Sequence, residues 1–224
     1  MAKNNQQEAQ QEQVATTVSG VEEFFKKNQK WIEWVLIAVI VVVLGILAYN
    51  KWVLTPAKQE AQGQMFPAEQ QFREGNYEAA LNGDGNILGF SQIIDQYGTK
   101  GGKSVYFYAG ICNLQLGNYQ EAIDLLKKYK TSDKIMQGRT LCAIGDAYCN
   151  QQDYTNALAY YKKAAAVEDN NLAAGYLLKA GLVCEETGDT DGALKMYKEI
   201  ETKYPQTLEG YDIQKYISRI ENQK

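Results

Sequence analysis

One phrase, read four times at near-constant spacing, limits what this chain can fold into more than any other feature. It stands as GNYEAAL at 75–81, GNYQEAIDLLKKY from Gly117, DYTNALAYYKKA from Asp153 and GDTDGALKMYKEI from Gly188. The shared alanines, Ala80, Ala122, Ala157 and Ala193, lie 42, 35 and 36 residues apart. A period close to about 34 residues means paired helices stacked pair upon pair, since one pair alone cannot bury its apolar face. Twelve residues before each alanine stands a small residue: Ala68, Gly110, Gly145 and Gly181. Two helices of a hairpin approach closely only where side chains are small, so these four positions are predicted helix crossings. Gly117-Asn118, Gln152-Asp153 and Gly188-Asp189 suit the turns that end one helix and cap the next.

Composition agrees with an all-α chain. Only three prolines occur in 224 residues, and Ala, Leu, Lys, Glu and Gln are abundant. The net charge of -4, with Lys and Arg scattered, argues against a nucleic-acid partner, whose phosphates demand clustered basic side chains. Histidine is absent, which removes the commonest general base and zinc ligand. Cys112, Cys142, Cys149 and Cys184 show no CxxC spacing, and neither GxSxG nor a phosphate-binding glycine loop occurs. The expectation is therefore no enzyme, no metal, no cofactor and no small-molecule substrate, with the thiols buried and free.

A second feature says where such a stack resides. From Trp34 to Asn50 no residue is charged, and eleven of these seventeen are Leu, Ile or Val. On an insertion scale those eleven favour spanning by roughly 3–7 kcal/mol. Extended from Trp31 to Leu54, the helix runs about 36 Å, enough for a hydrocarbon core of about 30 Å. Trp31 and Trp34 at one end and Tyr49 and Trp52 at the other form the aromatic belts expected at the headgroups. The run is too long, and its leader too extended, for a cleaved signal peptide, so it is read as a retained anchor. It has no GxxxG for self-association. Lys26, Lys27 and Lys30 before it against Lys51 and Lys58 after it place the amino terminus in the cytoplasm and the larger part outside. Four cysteines press the other way, because an oxidising compartment favours disulfides.

The boundaries follow. Residues 1–18, Gln-rich and polar, read as a disordered tail. At Ser19 a capping box with Glu22 begins a juxtamembrane and transmembrane helix over 19–54, with Phe24 and Phe25 in its first turns. Residues 55–63 read as a connector or weak helix, 64–207 as about four repeats and 208–224 as a capping helix that closes the stack with Leu208, Tyr211, Tyr216, Ile217 and Ile220 on one face.

The repeat resembles the tetratricopeptide family. Leu141, Ile144, Gly145, Tyr148, Ala157, Tyr161 and Ala164 match its pattern in the third unit. In the fourth the matches are Leu177, Ala180, Gly181, Ala193, Tyr197 and Pro205, with Cys184 replacing an aromatic. Tyr106, Ala109, Gly110, Ala122, Leu126 and Tyr129 match in the second. The first departs, with Pro67 inside its first helix and NGDGN at 82–86 interrupting its second. Asp84 between glycines lacks the further acidic ligands of a calcium loop and is read as a turn. The resemblance implies an α-solenoid whose first helices line a protein-binding groove. The groove positions it implies are Phe107, Ile111 and Leu114, then Arg139, Cys142, Asp146 and Asn150, then Leu178, Lys179 and Leu182. Phe107, Ile111 and Leu182 have an alternative reading as core between repeats. The clamp for carboxyl-terminal chaperone tails would need Lys and Asn where Phe107, Ile111, Cys142 and Asp146 stand, which argues against that ligand. Lys127-Lys128 and Lys162-Lys163 read as solvated faces.

The whole layout, together with NILGFSQIIDQYGTK and YFYAGICNLQLGNYQEAI, also resembles the YfgM-type ancillary subunits of the SecYEG translocon. That resemblance implies a bacterial inner-membrane protein with one span and a periplasmic carboxyl-terminal domain. It implies partners among SecYEG, a PpiD-like prolyl isomerase and emerging secreted chains, held without catalysis. The alternative is a structural scaffold that organises another envelope complex and binds no clients.

Overall fold

The computed structural model describes residues 27–222. The tail read over 1–18, the Ser19 and Glu22 capping box, Phe24, Phe25 and Lys26 lie outside the described residues. The chain divides into two units, Met1–Pro56 and Ala57–Lys224.

The first unit contains helix α1 over residues 27–49, followed by a wider π-helical turn at Asn50–Leu54. The Thr55 hydroxyl donates to the Asn50 carbonyl at 2.8 Å across that turn. Apolar side chains surround α1, and those from Val35 to Leu47 are exposed, as are Trp31, Trp34, Tyr49 and Trp52. A helix apolar on every side and covered by no protein has no core of its own to enter. The helical run Lys27–Arg73 contains a stretch long and apolar enough to cross a membrane. Gln29 donates to Glu33 at 2.9 Å, so that carboxylate has a hydrogen-bonding partner at its end of the segment.

In the second unit the helices pair as the alanine spacing predicts. They are α2 (Thr55–Arg73), whose first two residues belong to the first unit, α3 (Tyr77–Asn82), α4 (Phe90–Tyr97), α5 (Ser104–Gln115), α6 (Tyr119–Lys128), α7 (Lys134–Asn150), α8 (Tyr154–Ala165), α9 (Leu172–Glu186), α10 (Thr190–Lys203) and α11 (Leu208–Glu221). The pairs are α5 with α6, α7 with α8 and α9 with α10, and each pair packs on the next through α6 with α7 and α8 with α9. No strand occurs among the described residues.

At the predicted crossings each glycine receives a large side chain of its partner helix. A Cβ built on Gly110 would lie 2.6 Å from Leu126 Cγ, one on Gly145 2.7 Å from Tyr161 Cδ1, and one on Gly181 2.2 Å from Tyr197 Cε1. The partner is sixteen residues on in each case, so one crossing is built three times over. Ala68 of the first repeat is likewise fully buried, in a cluster with Met65, Ala80, Phe90, Ile93, Val105 and Ala109. The turns between paired helices also repeat. Gly75, Gly117 and Gly188 adopt φ of 80°, 83° and 76°, and Gln152 holds the equivalent place at 62°. Asp153 and Asp189 then cap α8 and α10, accepting from the Asn156 and Gly192 amides at 3.1 and 2.9 Å.

The first repeat departs as its sequence does. Helix α3 stops at Asn82, and α4 resumes the pattern at Phe90. Asp84 Oδ1 accepts from the Asn86 and Ile87 amides at 2.9 and 3.0 Å, which lowers the Asp84 pKa and fixes a turn. Of the two readings of 55–63, connector or weak helix, the helix holds, and α2 continues through Pro67 to Arg73. Its register is tied down by Ala61, Met65 and Ala68, a buried stripe at i, i+4 and i+7.

Helix α11 covers α9 and α10, but not with the whole face expected of it. Ile213, Ile217 and Ile220 are buried and Tyr216 is half-buried, whereas Leu208 and Tyr211 are 84% and 73% exposed. At about 100° per residue, Tyr211 points away from the stripe set by Ile213, so the two cannot share a face.

Candidate protein-binding groove

Three successive first helices, α5, α7 and α9, end beside one another and leave a groove of about 820 Å³. Leu114 and Gln115 line it from α5, Asp146, Cys149 and Asn150 from α7, and Lys179, Leu182, Val183 and Glu186 from α9. Tyr119, Tyr154 and Tyr161 complete it from the second helices. Repetition explains the wall. Gln115, Asn150 and Glu186 each stand seven residues before a repeat alanine, and Tyr119 and Tyr154 each stand three before. Stacking in register turns each such position into a row.

Five of the groove residues expected from sequence are brought together here: Leu114, Asp146, Asn150, Lys179 and Leu182. The others stand elsewhere. Phe107 and Ile111 pack against the cluster of Ala122, Ile123, Leu126, Ala143, Ile144 and Ala147, in keeping with the core reading of these two. Leu178 packs against the core of the last two repeats. Arg139 is exposed, two helical turns before Asp146 and outside the groove lining, and Cys142 is buried. Gln115, Tyr119, Cys149, Tyr154, Tyr161, Val183 and Glu186 were not anticipated. For Gln115 and Glu186 the available signal was equivalence by register to Asn150, and for Cys149 equivalence to Leu114.

The electrostatics are set by Asp146. Its Oδ1 accepts from Lys179 Nζ at 2.6 Å and from the Tyr161 hydroxyl at 2.7 Å, tying the third repeat to the fourth. Burial opposes the Lys179 ammonium, but Cys142 and Asp146 beside it outweigh that and leave its pKa raised. Burial, with Asp146 adding to it, pushes the Cys142 thiol up to about 12, and the same two causes raise Tyr161. The Cys149 thiol is raised chiefly by burial, with Asp146 and Glu186 contributing. Among the described residues the Glu186 carboxylate has no ion pair or hydrogen bond. Its immediate neighbour Glu185, by contrast, accepts from the Tyr197 hydroxyl and, at both carboxylate oxygens, from Arg219 Nη2.

All four cysteines are free, and Cys112, Cys142 and Cys184 are buried. No group of His, Cys, Asp and Glu able to hold a metal ion occurs among the described residues.

Comparison with known proteins agrees with this geometry. Two family models described as tetratricopeptide repeats match residues 104–133 and 142–206. The solved structure titled "Crystal structure of MamA" superposes with a TM-score of 0.53 at 17% identity, over 69% of this chain and 92% of that one. At that identity the likeness is one of fold alone. No curated protein sequence matches the chain. The chain thus carries tetratricopeptide repeats over residues 104–133 and 142–206, set in an α-helical solenoid, and such repeats form a protein-interaction module.

Proposed function

We propose that this chain is a membrane-anchored binding module that holds partner or client proteins at the SecYEG translocon. In this reading α1 spans the bacterial inner membrane, the amino terminus is cytoplasmic and the repeat domain is periplasmic. The observation that carries the reading is the groove itself: about 820 Å³, open to solvent, and walled by three consecutive repeats with both apolar and hydrogen-bonding side chains. That mixture suits a polypeptide segment, which offers backbone amides and side chains together. The exposed apolar α1, with Trp31 and Trp34 at one end and Tyr49 and Trp52 at the other, supports tethering. Tethering raises the local concentration of the groove near membrane partners, so modest contacts suffice. The excess of lysines before the span supports the orientation, and the translocon enters through the resemblance of the whole layout to the YfgM-type subunits.

Copurification of the full chain in mild detergent tests the partner. Recovery of translocon subunits or of a PpiD-like prolyl isomerase, diminished by Leu182→Arg in the groove, is the expected result. Absence of both would overturn the translocon assignment and leave the scaffold reading. Protease added to spheroplasts should digest residues beyond Leu54, whereas protection would reverse the orientation.

A further inference from the structure

The groove has the charge and bonding pattern of a receptor for one class of segment, and this inference rests on the binding role proposed above. The only cation among the described residues that line it, Lys179, is held on Asp146 Oδ1 at 2.6 Å, so it is not free to receive an acidic ligand. Asp146 uses that same oxygen for Tyr161, and among the described residues no hydrogen bond engages its Oδ2. The Glu186 carboxylate lies near enough to raise the Cys149 thiol, yet among the described residues nothing pairs with it. It also closes α9, where the negative end of the helix dipole disfavours a carboxylate. Glu185 is compensated there by Arg219 and Tyr197, and Glu186 is not. Gln115 and Asn150 occupy the equivalent place in the two preceding repeats. Asn150 donates to the Asp146 carbonyl at 2.8 Å and keeps its own amide oxygen available. Leu114, Val183 and the 41%-exposed Leu182 supply apolar surface alongside.

We infer that the groove receives an extended segment of a partner protein in which a lysine or arginine is flanked by apolar side chains. The Gln115 and Asn150 amides bond the backbone of that segment, its apolar side chains cover Leu114, Leu182 and Val183, and its cation meets Glu186 and the free oxygen of Asp146. Acidic tails are disfavoured for the same reason that basic ones are favoured.

The test uses the full chain in lipid nanodiscs and three fluorescein-labelled ten-residue peptides of alternating leucine and serine, with a central Lys, Gln or Glu. Fluorescence anisotropy at low salt should show the Lys peptide binding about tenfold more tightly than the Gln peptide and the Glu peptide more weakly than either. Glu186→Gln should reduce the Lys preference severalfold while leaving the Gln peptide unaffected, and Glu186→Lys should reverse the order. Equal binding of all three peptides, lost in Leu182→Arg, would overturn the charge assignment and leave the groove as a binding site. A charge preference insensitive to both Glu186 variants would also overturn it. Binding of none of the peptides would overturn this inference, and copurification that also found no partner would overturn the binding role itself.

Discussion

Replacing Gly181 by alanine tests the packing on which the solenoid is built. In the middle of a helix, alanine is favoured over glycine by about 1 kcal/mol. Against that gain, the new Cβ would stand 2.2 Å from Tyr197 Cε1 and 2.8 Å from its Cζ. The Tyr197 ring has no space to retreat into. It is fully buried, and its hydroxyl is bonded at 2.5 Å to Glu185, itself held by Arg219 at 2.7 and 2.8 Å. Overpacking of a filled core costs about 1–3 kcal/mol. Loss of a hydrogen bond to a charged acceptor adds about 1.5–3 kcal/mol. Net of propensity, Gly181→Ala should destabilise by about 1.5–5 kcal/mol, which lowers the Tm of a domain this size by roughly 3–20 °C. Gly63→Ala is the control, because Gly63 is helical too and a Cβ there meets nothing within 4 Å. Propensity alone then acts, and the Tm should hold or rise. Thermal melts of the full chain in detergent, followed by far-ultraviolet circular dichroism, read both. A Gly181→Ala protein as stable as the parent would refute the close crossing.

Three further outcomes follow from the same structure. Gln152→Gly should stabilise by about 0.5–1 kcal/mol, because Gln152 holds a φ of 62° that its three counterparts assign to glycine; the left-handed conformation costs about 1–2 kcal/mol, partly offset by the greater freedom of unfolded glycine. Thr207→Ala removes the acceptor of the Gly210 amide at 3.0 Å and the donor to the Tyr204 carbonyl at 2.8 Å, so it should cost about 1–2 kcal/mol, seen as faster hydrogen exchange in α11. Burial holds the Cys112 and Cys142 thiols protonated to about 12, against 9.0 for a free thiol. Between those values the folded chain keeps protons that the unfolded chain has lost, so stability should be fully present below about pH 9 and fall as pH rises towards 12. Urea titrations at pH 8 and pH 10.5 measure the fall, which Cys112→Ala with Cys142→Ala should shrink.

The repeated alanines and the small residues twelve before them were enough to read the helix pairs, their crossings and their turns, because each is a local steric demand stated several times. The first repeat was harder, since α2 continues through Pro67, a residue that argues against it, and is fixed by the buried stripe of Ala61, Met65 and Ala68. On α11 the apolar residues were visible but not which of them pack; Leu208 and Tyr211 remain exposed because the isoleucine stripe sets the face. The groove was legible only in part. Lining it depends on how three separate helix ends align, a tertiary fact, and so Phe107 and Ile111 fell to the core while Gln115 and Glu186 were passed over.

Site-specific photocrosslinking in intact membranes tests the central claim most directly, with the reactive group placed in turn at Leu182 in the groove and at the exposed Lys163 on α8. The account predicts discrete adducts with other proteins from position 182 and none of these from position 163. Adducts of equal yield from both positions, or adducts from position 163 alone, would contradict it.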